Sequence, residues 1–182
     1  MDIKKIVYTS FFIALGIVLP IIFHIIGGPS LGRVLLPMHL PVLIGAAYLG
    51  PLAGLIMGVI TPLLSSLFTG MPPVIPMLPI MIVELGVYGL LMGYLFFRLK
   101  MKVYLSLLIT MLLGRVAASL VVLTLVFGFG YNQLPANPIL YIYGTVTAGL
   151  PGIIGQLIIV PIVLRYIKKY NESSKTTLNT VD

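Results

Sequence analysis

The chain has 182 residues, of which 59% are hydrophobic and only 8% charged, and a formal net charge of +7. Its mean hydropathy is +1.16, which a water-soluble domain does not carry, and with no cysteine it has no disulfide, thiolate nucleophile or cysteine-based zinc site. The apolar runs are too long and continuous for barrel strands, so the fold class is an all-α integral membrane protein of six transmembrane helices with both termini cytoplasmic.

The first span covers 6–26, behind Lys4 and Lys5. It is too long for a signal-peptide core, and no A-x-A-like cleavage site follows it. The second, 35–49, is short, with Pro37 and Pro41 at its start, and is either tilted or shielded from lipid by its neighbours. Gly50-Pro51 turns the chain into the third span, 51–68, with Pro51 at the first helical position, where its missing N–H costs nothing. The fourth and fifth spans cover 79–97 and 103–127. The sixth covers 139–164, entered through Asn137-Pro138 with Asn137 as N-cap. Thr61-Pro62 and Leu150-Pro151 fall inside spans and predict kinks. Residues 1–170 thus form a single domain, and the polar stretch 171–182 is expected to be a disordered cytoplasmic tail.

Charge sets the orientation. Lys4 and Lys5, then Arg98, Lys100 and Lys102, then Arg165, Lys168 and Lys169 share one side if there are six spans, while the opposite loops carry Arg33. The positive-inside rule makes the basic side cytoplasmic. These cations are scattered at span ends with no domain to present them, so no nucleic-acid partner is expected.

The outer loops, 28–38, 69–78 and 128–138, are rich in Gly and Pro. They either turn the chain or roof a pocket to which Arg33, Asn132 and Gln133 offer hydrogen bonds. Glu84 and Arg115 stand inside spans that are otherwise almost wholly apolar. A lone charge near the bilayer centre costs roughly 2.5–3.5 kcal/mol on insertion scales, so each needs a partner or a polar cavity. Tyr88 lies one turn deeper than Glu84 on the same face, and Ser119 one turn outward from Arg115. The readings open here are a salt bridge that fixes helix packing, ligand contact by at least one of the two, and proton coupling by Glu84.

In the sixth span Thr145, Gly149, Gly152 and Gln156 share a face that reads as a packing seam, with Gln156 a candidate for the ligand. Tyr141 and Tyr143 fall where an interfacial aromatic belt belongs. His24 reads as an interfacial residue, and His39 either as another or as a group leaning over a cavity. The candidate substrate-binding set is Arg33, His39, Glu84, Tyr88, Arg115, Asn132 and Gln156.

There is no H-E-x-x-H, no G-x-S-x-G, no pair of carboxylates within spans and no P-loop. No catalytic residue, metal or cofactor is therefore expected, and ATP, if used, belongs to other chains. Two competing classes stay open: a stand-alone carrier or channel using Glu84, and an intramembrane enzyme built on Ser65 or Ser66 with His39.

The stretch LLPMHLPVLIGAAYLGPLAGLIMGVITPLLSSLFTGMPP, over 35–73, resembles the substrate-binding S components of energy-coupling factor (ECF) transporters. There a His/Asp-x-Pro-hydrophobic segment runs into Gly-Ala, a Gly-Pro turn and a Gly-rich third helix. His39, Pro41, Gly45, Ala46, Gly50, Pro51, Gly54 and Gly58 are the matching residues here. The resemblance implies a non-enzymatic subunit in a bacterial or archaeal plasma membrane. It would capture a vitamin-like molecule from outside and work with a transmembrane scaffold subunit and two cytoplasmic ATPases. It would topple in the bilayer when docked. The family's first helix commonly docks through Ala-x-x-x-Ala; Ser10-x-x-x-Ala14 matches that in size, not identity. Arg33, Arg115 and His39 favour an acid such as pantothenate or lipoate, with riboflavin and pyridoxine-type vitamins still open.

Overall fold

A computed structural model describes residues 2–131, 134 and 137–178. Among them there is no strand, and the helices run in chain order as α1 (Ile3–Leu35), α2 (His39–Leu49), α3 (Pro51–Thr69), α4 (Met77–Met92), α5 (Val103–Leu123), α6 (Pro138–Ala148) and α7 (Leu150–Leu178). Wider π-type turns prolong α4 over Gly93–Arg98 and α5 over Thr124–Gly128.

Where the sequence reads six spans, five helical stretches have the length and hydropathy to cross a bilayer: Ile3–Gly28, Pro51–Thr69, Met77–Arg98, Val103–Gly128 and Leu150–Lys169. The other two helices, α2 and α6, are shorter. The difference has two local causes. At the first outer loop the chain bends at Gly27 and Gly28, then resumes as helix to Leu35. Gly28 takes φ 68°, a left-handed value that a side chain would oppose. Leu36, also left-handed at φ 49°, then closes α1, so α2 begins at His39 and not at 35. In the predicted sixth span, Gly149 leaves the helical path at φ −91°, ψ 4°. Pro151 has no N–H for the carbonyl four residues back, and the kink predicted there divides α6 from α7. Hydrogen bonds from Gly149 N–H to Thr145 O (3.0 Å) and from Ile153 N–H to Gly149 O (2.9 Å) keep the joint nearly continuous. Pro62, by contrast, sits inside an unbroken α3.

The turn chemistry read from the sequence is present. Pro51 opens α3 after Gly50 at φ 98°. Asn137 caps α6 by accepting hydrogen bonds from the Ile139 and Leu140 N–H groups at 2.9 and 3.4 Å. At the other end, α7 continues past residue 170 as far as Leu178, and 179–182 lie outside the described residues.

Polarity is turned outside-in. Exposed Ile, Leu, Val and Phe side chains cover α1, α5 and α7, whereas Thr9, Thr61, Ser106, Thr110, Ser119 and Gln156 are buried. That is the arrangement a lipid solvent selects, since interhelical polar contacts gain nothing from facing hydrocarbon. The short α2 is buried along nearly all its length; of the two readings open for this segment, shielding by neighbours is the one realised. Leu43, Ala46 and Ala47 of α2 pack with Tyr88 and Met92 of α4, Leu107 and Met111 of α5 and Val160 of α7.

The tightest contact is between α3 and α4. Added Cβ atoms at Gly54 and Gly89 would overlap each other's backbone, one at Gly58 would overlap the Leu85 carbonyl, and one at Gly93 would stand 2.5 Å from Pro51 N. Gly50, Gly54 and Gly58 thus run against Gly93, Gly89 and the Leu85–Gly86 link main chain to main chain, a membrane packing device that needs residues without side chains.

Candidate functional site

The two charges that the sequence isolates are brought together. Glu84 enters from α4, about 10 Å along the axis from Met77, and Arg115 from near the middle of α5 and its π-type extension. Arg115 Nη1 lies 2.9 Å from Glu84 Oε1, and both side chains are almost completely buried. The contact is an ion pair by distance, its angles lying outside those of a hydrogen bond. Within a bundle facing lipid, mutual neutralisation removes most of the cost of each lone charge.

His39, the first residue of α2, places Nε2 3.6 Å from the same Glu84 oxygen. Its ring meets that of Tyr88 edge-on at 5.2 Å between centroids. Tyr88 is held in turn from α5: its hydroxyl donates to the Met111 carbonyl at 3.4 Å, and its ring fills the space that a side chain at Gly114 would need. His39, Glu84, Tyr88 and Arg115 thus form one cluster across α2, α4 and α5.

Several polar atoms of the cluster and its surroundings have no hydrogen-bond partner among the described residues. These are Oε1 of Glu84, Nε and Nη2 of Arg115, both ring nitrogens of His39, and both amide atoms of Gln156. Gln156 is 1% exposed and sits on the inward face of α7 with Gly152 and Val160. Buried polar groups are normally satisfied, so such a concentration of open valences marks a place built for something more than packing.

The remaining candidates divide. Asn132 and Gln133 lie outside the described residues, and so does the side chain of Arg33. The seam expected on the sixth span exists, with α1 as its partner: a Cβ at Gly152 would stand 2.6 Å from the Val34 carbonyl oxygen, and one at Gly149 would stand 3.0 Å from Leu36. Ser119 turns back onto its own helix, donating to the Val116 carbonyl at 2.7 Å.

Tyr141 corrects an expectation. It is buried at 7% exposure, packed with Ile80, Ala118 and Val122, while Tyr143 is exposed as a belt residue would be. Tyr141 lies within electrostatic reach of Glu84 and Arg115, facing the interior from α6. Its spacing held the signal: four residues before Thr145, it shares the face that continues through Gly149.

Ser65 and Ser66 have a different task from the nucleophile considered for them. Their hydroxyls donate to the Met71 and Pro72 carbonyls, each at 2.7 Å, and clamp the loop after α3. His39 is engaged instead with Glu84 and Tyr88. Ser10 and Ala14 are exposed together on the outer face of α1.

Two cavities lie apart from the ion pair. One of about 90 Å³ is lined by Phe23, Leu40, Gly152 and Ile159 among others, and a hollow of about 290 Å³ lies beside Ile21, His24, Thr69 and Met71. Neither is lined by Glu84 or Arg115.

In comparison with known proteins, the family described as ECF transporter, substrate-specific component, matches residues 4–164. No curated protein matches the chain, and neither does any solved structure.

Proposed function

The chain belongs to the family of substrate-specific components of ECF transporters, and from that premise we propose that it is the subunit that captures a vitamin-like micronutrient from outside the cell for uptake driven by partner chains. The observation that carries the reading is the buried cluster of His39, Glu84, Tyr88 and Arg115, with several valences open among the described residues. A packing salt bridge needs no such surplus of donors.

In this reading the chain crosses the membrane six times, with α6 and α7 together making the last crossing and both ends in the cytoplasm. Arg33, Asn132 and Gln133 on outer loops meet the ligand first, and His39, Glu84, Tyr88, Arg115 and Gln156 hold it. The energy comes from a scaffold subunit and two ATPases. The exposed Ser10–Ala14 face of α1 docks on the scaffold, where small side chains allow close approach.

The test is co-expression with the scaffold and ATPases of the same cells. Uptake should require all four chains, and native mass spectrometry of the isolated subunit should find a retained small molecule. Ser10→Phe and Ala14→Leu should release the scaffold and leave the retained molecule in place. Uptake into liposomes by this chain alone under an ion gradient would overturn the subunit reading in favour of a carrier.

A further inference from the structure

We infer that Arg115 is the receptor for a single carboxylate, and that the captured molecule is a small monocarboxylic acid. This rests on the capture reading above and narrows it to a chemical class. The guanidinium carries two kinds of contact surface. Nη1 is taken by Glu84 at 2.9 Å. Nε and Nη2, whose N–H bonds run parallel along one outer edge, are buried and have no hydrogen-bond partner among the described residues. That edge is the side-on fork which matches the two oxygens of a carboxylate.

The neighbours favour this use of the edge. Glu84 holds the opposite corner of the guanidinium and so acts as a positioning residue, fixing the direction in which the fork points. Gly149 borders the fork: a Cβ built on it would lie 3.6 Å from Nη2. A side chain there would crowd Nη2, Leu36 and the Thr145 carbonyl together, and the glycine stands at the joint between α6 and α7, where the helix is already interrupted.

Charge selects the class of anion. Arg115 and Glu84 cancel, so a bound monoanion leaves the cluster at about one negative charge, beside the His39 imidazole 3.6 Å from Glu84. A phosphate dianion would double that excess in a low-dielectric bundle, at a steeply greater cost. A neutral carbonyl offers this edge a single oxygen, whereas a carboxylate offers two in the geometry of the fork. One carboxylate satisfies both conditions.

The experiment uses the full chain in nanodiscs and two probes: a total metabolite extract of the cells that make the protein, and the same extract after its carboxylates have been capped by carbodiimide coupling to methylamine. After dialysis, retained molecules are identified by mass spectrometry. Retention of a small acid from the native extract, with nothing from the capped one, is the expected result. Retention of the same compound from both extracts overturns the carboxylate assignment and leaves the capture reading intact. Retention from neither removes the capture reading, and this inference with it.

Arg115→Lys provides the second arm, because lysine keeps a cation for Glu84 but has no planar fork. Its melting midpoint in nanodiscs should stay close to that of the parent while affinity for the retained acid falls by about 30-fold or more. Unchanged affinity in a folded Arg115→Lys protein overturns the fork. Should that variant not fold, the two extracts decide the matter with the parent protein.

Discussion

Arg115 and Glu84 make an interaction whose two halves are costly apart and nearly neutral together. Removing one charge leaves the other buried without its counter-ion, which in protein interiors costs about 3–5 kcal/mol. Glu84→Gln and Arg115→Met should each therefore lower the midpoint of thermal unfolding in nanodiscs, and the double variant should regain most of the loss. Affinity for the native ligand should not return with it, because the stabilising role and the binding role of Arg115 separate in that protein. Equal affinity in the double variant and the parent would remove both residues from the site. The pair was legible in the sequence, since two lone charges in apolar spans demand partners. The part played by His39 was not, because nothing in the chain order brings the start of α2 against the middle of α4. Tyr141 was missed for a different reason: an aromatic ring near a span end satisfies the rule for interfacial belts equally well whether it faces headgroups or the core.

At the scale of the helix, positions were easier to read than partners. Gly50-Pro51, Asn137-Pro138 and the Pro151 kink are local events, determined by missing N–H groups and left-handed backbone, and each stands where the residues put it. The α3–α4 seam required knowing that the glycines of α3 lie against the backbone of α4 around Leu85 and Gly89, which one chain read in order does not tell. The consequence is measurable. An alanine at Gly58 drives its methyl into the Leu85 carbonyl, whereas one at Gly144 meets nothing within 4 Å. Gly58→Ala should lose about 1–3 kcal/mol of stability, as overpacked sites do, while Gly144→Ala should be neutral or gain up to about 1 kcal/mol from helix propensity. Equal unfolding midpoints for the two variants would show that the seam is looser than the structure has it.

For the whole molecule, hydropathy and basic span ends gave a six-span reading, and the structure returns five helices of spanning length with two short ones. Composition could not choose between a tilted α2 and a shielded one, because a short helix buried on all sides is as apolar as one immersed in lipid. The proposed topology counts the short α2 as a crossing and α6 with α7 as another, which makes six passes and puts both termini on the same side. Single-cysteine labelling is clean in a chain with no native cysteine. In intact cells an impermeant maleimide should modify Val74→Cys, on the loop between α3 and α4, and spare Met101→Cys between α4 and α5. Labelling in the reverse pattern would invert the orientation.

The glycine seam also governs where the molecule can yield. At Gly54, Gly58, Gly89 and Gly93 no side chain separates the two backbones, so α3 and α4 are braced against each other there, with Met57 and Leu85 packed beside the seam. Compliance is left to the bend at Gly27 and Gly28 and to the joint at Gly149, two hinges at opposite ends of the sequence. Gly152 connects them, since the outer arm of α1 rests its Val34 carbonyl there. Tilting that arm levers on the first turn of α7, one turn from the glycine that borders Arg115. The contact at Gly152 thus ties the end of α1 to the turn that follows Gly149, the glycine beside Arg115.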